Sequence, residues 1–134
     1  MRLRTASVAL IAALILDVVL ALLLTPLGFE TRPPSDLTVI GIISIAAVAI
    51  GVLLDLAAII VSRRARLAST LAIIGSIVFI VPNVTDKAGA FFTVPAPPVI
   101  VALEYAFMAA LLATLGVAWS VFRGSEHGER AARG

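Results

Sequence analysis

Four long apolar stretches, divided by short segments rich in proline, glycine or arginine, constrain this chain more than any other feature. A membrane-crossing helix needs about 20 largely apolar residues. The stretches at about 5–24, 37–61, 67–81 and 98–122 meet that length or come near it. The first ends before Thr25-Pro26. The second is introduced by Pro33-Pro34-Ser35-Asp36, where Ser35 or Asp36 is placed to cap the helix by accepting an orphan backbone N–H. The third closes at Pro82-Asn83, and the fourth follows Pro95-Ala96-Pro97-Pro98, proline being tolerated in a first helical turn. The third is the shortest and needs thin bilayer or protein packing at its ends. The expected fold is an all-α, four-helix transmembrane bundle.

Composition supports lipid as the main solvent. Only 13% of the 134 residues are charged and 61% are hydrophobic, whereas soluble domains keep roughly a quarter of their residues charged. The distribution of positive charge predicts orientation. Arg2, Arg4, Arg63, Arg64, Arg66, Arg123, Arg130 and Arg133 fall on one side of an even-numbered bundle, and only Arg32 and Lys87 on the other. Cytoplasmic loops carry the excess of Lys and Arg, so both termini are expected in the cytoplasm of a multi-pass cell-membrane protein. Residues 1–123 form the single membrane domain. Residues 124–134 have no apolar period and are expected to be a flexible cytoplasmic tail. The Arg-rich start resembles a signal-peptide n-region, but the apolar run is long, contains Asp17 and lacks a small-residue cleavage site before Thr25, so it reads as a retained span. The arginine-rich, lysine-poor usage suggests a bacterial source with a GC-rich genome.

Several functions find no support. With no cysteine, disulfides, thiolate metal sites and thiol nucleophiles are excluded. The single histidine, His127, lies in the polar tail, so there is no Ser–His–carboxylate set and no clustered metal ligands. No Gly-rich loop precedes a lysine in the phosphate-binding pattern. The arginines flank apolar spans instead of forming a patch interleaved with aromatics, which argues against nucleic acid. No enzyme, cofactor or metal is expected. Asn83-Val84-Thr85 matches a glycosylation sequon but reads as a turn in which Asn83 caps the third helix.

Three carboxylates break the apolar runs: Asp17, Asp55 and Glu104, with no Lys or Arg inside the same stretches. A charge in the hydrocarbon core costs at least about 2.5–3.5 kcal/mol, so such residues face a partner or a water-filled cavity and mark candidate proton or cation sites. Helical spacing places Asp55 on a small and polar stripe with Gly41, Ser44, Gly51, Ala58 and Ser62. Small residues let helices approach closely in lipid, and a hydroxyl of Ser69, Thr70 or Ser76 across the hairpin is expected to donate to Asp55. Asp17 lies on the stripe Ala9, Ala13, Ala21 and also faces protein. Glu104 shares its face with Ile100, Phe107, Leu111 and Trp119, opposite the small stripe Ala102, Ala106, Ala109, Ala113, Gly116 and Ser120. If the small stripe packs inward, Glu104 points to lipid or to another subunit and can snorkel toward the outer headgroups beside Tyr105. Counting depth from the prolines groups Asp17, Ser44, Ser76 and Glu104 in one layer, and Asp55, Ser69 and Thr70 in a second.

The expected function is a non-enzymatic, helix-packing membrane protein, either a homo-oligomer or an accessory subunit of a larger membrane assembly. The alternative is a compact proton- or cation-coupled transporter or channel using the intramembrane carboxylates.

Overall fold

A computed structural model of the chain describes the backbone of residues 2–133 and the side chains of residues 8–127. Arg2, Arg4, Arg130 and Arg133, which enter the charge asymmetry, lie outside the described side chains. Four helices follow one another: α1 (Arg2–Thr31), α2 (Val39–Ile60), α3 (Ala65–Lys87) and α4 (Pro98–Arg133), with a one-turn 3₁₀ helix at Pro34–Asp36 before α2. All four are long and apolar enough to cross a membrane, the make-up of a small multi-pass membrane protein. At 1.5 Å per residue even α2, with 22 residues, is about 33 Å long.

The helices outrun the limits expected from proline. α1 continues through Pro26 to Thr31, and α3 continues through Pro82 to Lys87. A proline inside a helix removes one backbone donor, here the one for the Leu22 or Val78 carbonyl, and polar side chains next to each proline bond neighbouring carbonyls of the same stretch. The Thr25 hydroxyl donates to the Ala21 carbonyl at 2.8 Å. The Asn83 amide donates to Phe79 at 2.9 Å, and the Thr85 hydroxyl to Pro82 at 3.1 Å. Asn83 therefore lies buried within α3 and does not cap its end. At the other limit, α4 carries helical backbone on to Arg133, past the expected end near Phe122. Extending an existing helix adds one hydrogen bond per residue without a new nucleus, so the lack of an apolar period does not stop it.

The helices form a sequential up-and-down ring. α2 packs on α3, α3 on α4 and α4 on α1, while the closing seam between α1 and α2 is the sparsest and the diagonal from α1 to α3 barely touches. α2 and α3 lie together because the small stripe of α2 faces α3: Gly51 and Gly75 leave room for the Phe79 ring and the Asp55 carboxyl respectively. The opposite face of α2, with Val39, Ile42, Ile43, Ile50, Leu53 and Ile60, is left exposed, as a lipid-facing surface requires.

α4 is turned the other way from the expectation. Ile100, Glu104, Phe107, Leu111, Thr114, Ala118 and Val121 are buried, whereas Ala102, Ala106, Ala109, Ala113, Gly116 and Ser120 are all exposed. Bulk fills the ring's interior on this side because α1 and α3 present small residues toward it, Ala21 and Ala72 among those buried. Glu104 consequently points into the bundle and not to lipid.

The two connections at the α1–α2 end are tied to each other. Thr38, not Ser35 or Asp36, caps α2, its hydroxyl oxygen accepting from the Gly41 N–H at 2.9 Å. The same hydroxyl reaches the Ala90 carbonyl, and the Thr38 N–H donates to Phe91 at 3.1 Å. Thr93 donates back to Asp36 at 2.8 Å, and Leu37 pairs with Phe92 in a short antiparallel bridge. Gly41 permits this docking, since a Cβ there would overlap the Phe91 carbonyl oxygen. Gly41→Ala is therefore expected to destabilise the protein by about 1–3 kcal/mol. Gly28→Ala, where nothing lies within 4 Å of the new methyl, is expected to be neutral or to gain up to about 1 kcal/mol of helix propensity. Thermal unfolding in detergent measures both, and equal losses would refute the docking role of Gly41.

Candidate functional site

The interior is divided along its length into apolar and polar levels. Near the turn between α2 and α3, Leu10, Leu14, Ala58, Ala72, Ala118 and Val121 form one buried apolar cluster. Toward the other end, Ala21, Phe79, Phe107 and Leu111 form a second. Between them each helix contributes one polar side chain, a single turn from each cluster: Asp17 from α1, Asp55 from α2, Ser76 from α3 and Thr114 from α4. All four are 0% exposed.

The hydrogen bonding of this level is incomplete. The Thr114 hydroxyl lies 2.6 Å from Asp17 Oδ2 and 2.9 Å from the Ala110 carbonyl oxygen. A hydroxyl carries one hydrogen, so it serves one acceptor at a time. With Asp17 ionised, Thr114 donates to the carboxylate. With a proton on Oδ2, the carboxyl donates to the Thr114 oxygen and the hydroxyl turns to Ala110. Asp17 Oδ1, both oxygens of Asp55 and the Ser76 hydroxyl have no hydrogen-bond partner among the described residues. Asp17 and Asp55 also act on each other electrostatically. Unpaired polar atoms at 0% exposure each carry a desolvation cost of about 1–3 kcal/mol or more, which marks this level as a candidate site.

A second polar level lies beyond the Phe79–Phe107 cluster, at the end where the two longer connections meet. Arg32, just after α1, holds Asp86 of α3 with two hydrogen bonds of 2.6 and 2.8 Å and lies 4.1 Å from the centre of the Phe92 ring. Its side chain is 3% exposed and that of Asp86 9%. Glu104, 5% exposed, faces Asp86, and its charge interacts first with that carboxylate, then with Arg32 and Lys87. Apart from a proton that it can share with the Asp86 carboxyl, neither Glu104 oxygen meets a hydrogen-bond donor among the described residues. These groups border a cavity of about 80 Å³, walled by Leu24, Val48, Ile100 and Phe107 as well as by Phe29 and Phe92. That is several times the roughly 10–15 Å³ one water needs.

The levels regroup the residues expected from the sequence. Asp17 and Ser76 do share a level, but Asp55 joins them, while Glu104 lies in the other. Ser44 bonds Thr85 at 2.8 Å and the Ile40 carbonyl at 2.8 Å, away from Asp17. Ser69 and Thr70 both donate to the Arg66 carbonyl, at 3.0 and 2.7 Å, and leave Asp55 without the expected hydroxyl. The regrouping follows from helix length: with α1 ending at Thr31, Asp17 lies about 21 Å from that end, not about 13 Å. Thr114, Asp86 and Arg32 were not expected as site residues. Thr114 is polar at the i+3 position from Leu111 on a face read as lipid-exposed, and Asp86 falls beyond the proline expected to end the helix.

No protein-family model, curated protein or solved structure matches the chain. Among the described residues no group of three or more His, Cys, Asp or Glu side chains is placed to hold a metal ion.

The Arg32–Asp86 pair ties the end of α1 to α3 and supports the wall of the cavity. Breaking a buried pair from one side strands the other charge and costs about 3–5 kcal/mol, whereas replacing both by apolar residues is often neutral. Asp86→Ala alone is expected to lose stability in that range, and Arg32→Leu combined with Asp86→Leu to recover most of it. Equal losses in the single and double variants, read by denaturant unfolding, would show that the pair has no such role.

Proposed function

We propose that this protein is a compact, non-enzymatic transporter or channel for protons or small cations. The carrying observation is the level formed by Asp17 and Asp55: two fully buried carboxyl groups from different helices, with no basic partner among the described residues and an apolar cluster on either side. Ionisable groups inside a membrane bundle that pair with no base are characteristic of ion and proton pathways. A low-dielectric level holds two such groups only if a proton or a cation balances them. Asp17 and Asp55 are the binding groups in this reading. Thr114 registers the charge of Asp17 by turning between Asp17 and Ala110, and Ser76 offers a further oxygen. Glu104 at the cavity is the station through which the level is reached from that end.

The proposed setting is the cell membrane, with both termini and the α2–α3 turn cytoplasmic. Arg63, Arg64 and Arg66 crowd that turn, whereas the opposite end bears Arg32 and Lys87 alone among basic residues, in keeping with the positive-inside pattern. On this orientation the cavity opens toward the outer side.

A second reading, assembly with another copy or with a membrane subunit, is favoured by one observation. The small stripe of α4 from Ala102 to Ser120 is exposed along its whole length, and faces of this kind allow close helix contact in lipid. The two readings are compatible. The stripe of α2, by contrast, is largely consumed inside the bundle, whereas that of α1 is buried at Ala21, half-buried at Ala13 and exposed at Ala9.

In proteoliposomes carrying a pH or cation gradient, Asp17→Asn and Asp55→Asn are each expected to reduce flux at least about tenfold, a barrier change of ~1.4 kcal/mol or more. Both variants are expected to assemble like the parent, with Ala106→Leu as the variant that disturbs assembly. Unchanged flux in both Asp variants would overturn the transport reading and leave the packing one.

A further inference from the structure

The cavity beside Glu104 combines features that the proton pathway does not require. Its walls are apolar and aromatic, its volume exceeds that of one water several times over, and its free polar atoms are carboxylate oxygens but for one guanidinium N–H. Arg32 spends its guanidinium on the two oxygens of Asp86 and on the Phe92 face, and keeps only Nε open. Glu104 meets no N–H or O–H donor among the described residues other than a proton shared with the Asp86 carboxyl. Lys87, the other cation nearby, has its ammonium 3.9 Å from the centre of the exposed Tyr105 ring. Counting the lining groups in their charged forms, one guanidinium faces two carboxylates, an excess of one negative charge.

We propose that this cavity binds a small organic ammonium ion, held by its N–H groups on the Glu104 carboxylate with its carbon atoms against Leu24, Val48 and Phe107. The proposal deepens the transport reading, on which it rests for its biological role, by naming a substrate class. Ligand and cavity match at each point. A primary ammonium carries three donors and no acceptor, and the two Glu104 oxygens are acceptors with no donor but the proton shared with Asp86. Its single positive charge brings the cavity to two against two. The aromatic walls favour an alkylated cation through their negative faces. A bare alkali ion fits less well, because apart from the carboxylates the walls offer it few oxygens to replace its water shell. An anion would meet one open N–H and two carboxylates. Size sets a further limit, since pockets for drug-sized ligands run to about 300–1,000 Å³. The ligand has only a few heavy atoms, as in methylammonium or ethylammonium.

The same ammonium chemistry occurs on a free amine and on an ethanolamine headgroup, so the test separates them. Radiolabelled ethylammonium is dialysed to equilibrium against the full-length protein in nanodiscs of phosphatidylcholine, alone or with phosphatidylethanolamine. Saturable binding is expected in phosphatidylcholine, weakened at least about tenfold by Glu104→Gln through loss of the charge-assisted hydrogen bonds. Sodium chloride at the same concentration is expected not to compete. Competition by phosphatidylethanolamine would assign the ammonium to the headgroup, and its absence to a free amine; both support the site. If Glu104→Gln does not fold, Val48→Phe, which fills the cavity and leaves the carboxylate, is expected to block binding. Absence of saturable binding in the parent, equal binding by a folded Glu104→Gln, or equal competition by sodium would overturn the proposal. Asp17→Asn is expected to bind ethylammonium normally. Binding without any Asp17-dependent flux would sink the transport reading alone, and such flux without binding would sink the ammonium site alone.

Discussion

The constraint on which the structure depends is the cost of a carboxylate in a place without water and without a base. Four apolar helices could surround one another in many rotations, because lipid chains attract leucine about as well as another helix does. Asp17, Asp55 and Glu104 remove most of that freedom. Each must turn inward, and each therefore fixes the rotation of its helix about its axis. The small residues at the α2–α3 contact follow from this: Gly51 of α2 and Gly75 of α3 lie where they do because an aromatic ring and a carboxyl group have to fit between the two helices.

The same constraint shows why α4 presents its bulky face inward. A rule based on small residues turns Ala102, Ala106 and Gly116 to the inside, and a rule based on the carboxylate turns Glu104 there. The two conflict, since the residues lie on opposite sides of the helix. A misplaced alanine in lipid costs almost nothing, whereas a carboxylate in lipid costs several kcal/mol. The carboxylate therefore sets the rotation of α4. Weighing the two costs against each other would have placed Glu104 correctly from the sequence.

The number of spans, their approximate places and the identity of the three carboxylates were legible from hydropathy and charge alone, because the bilayer imposes length and polarity directly on the sequence. The grouping of the carboxylates was not. It depended on reading Pro26 and Pro82 as helix ends, a rule that holds where water can take over the broken hydrogen bond. Here Thr25, Asn83 and Thr85 supply side-chain bonds to backbone carbonyls around the two prolines and the helices run on, shifting every depth measured from them. For that reason Asp86 falls outside the spans read from the sequence, where Arg32 serves only as a mark of topology. Their pairing is a contact over 54 residues that no local pattern announces.

Between the two polar levels stands the pair Phe79 and Phe107, edge to face with ring centres 5.2 Å apart. Phe107 lines the cavity, while Phe79 presses on Gly51, one turn from Asp55. In the proposed pathway, a charge passing from Glu104 to Asp17 or Asp55 must cross this apolar step. The step cannot give way toward α3, which is the most deeply buried of the four helices, but the seam between α1 and α2 is loosely closed and borders the same cavity. Closely packed cores shift between discrete arrangements and do not deform smoothly. Opening at that seam would move Asp17 and Asp55 apart, as they sit on the two helices that part. In the proposed transport reading, a proton or cation shared by the pair would draw α1 and α2 together, and its loss would leave two carboxylates that repel. The two fully buried carboxyl groups lie on the two helices with the least other contact between neighbours in the ring, which is where a single charge has the most influence on the packing.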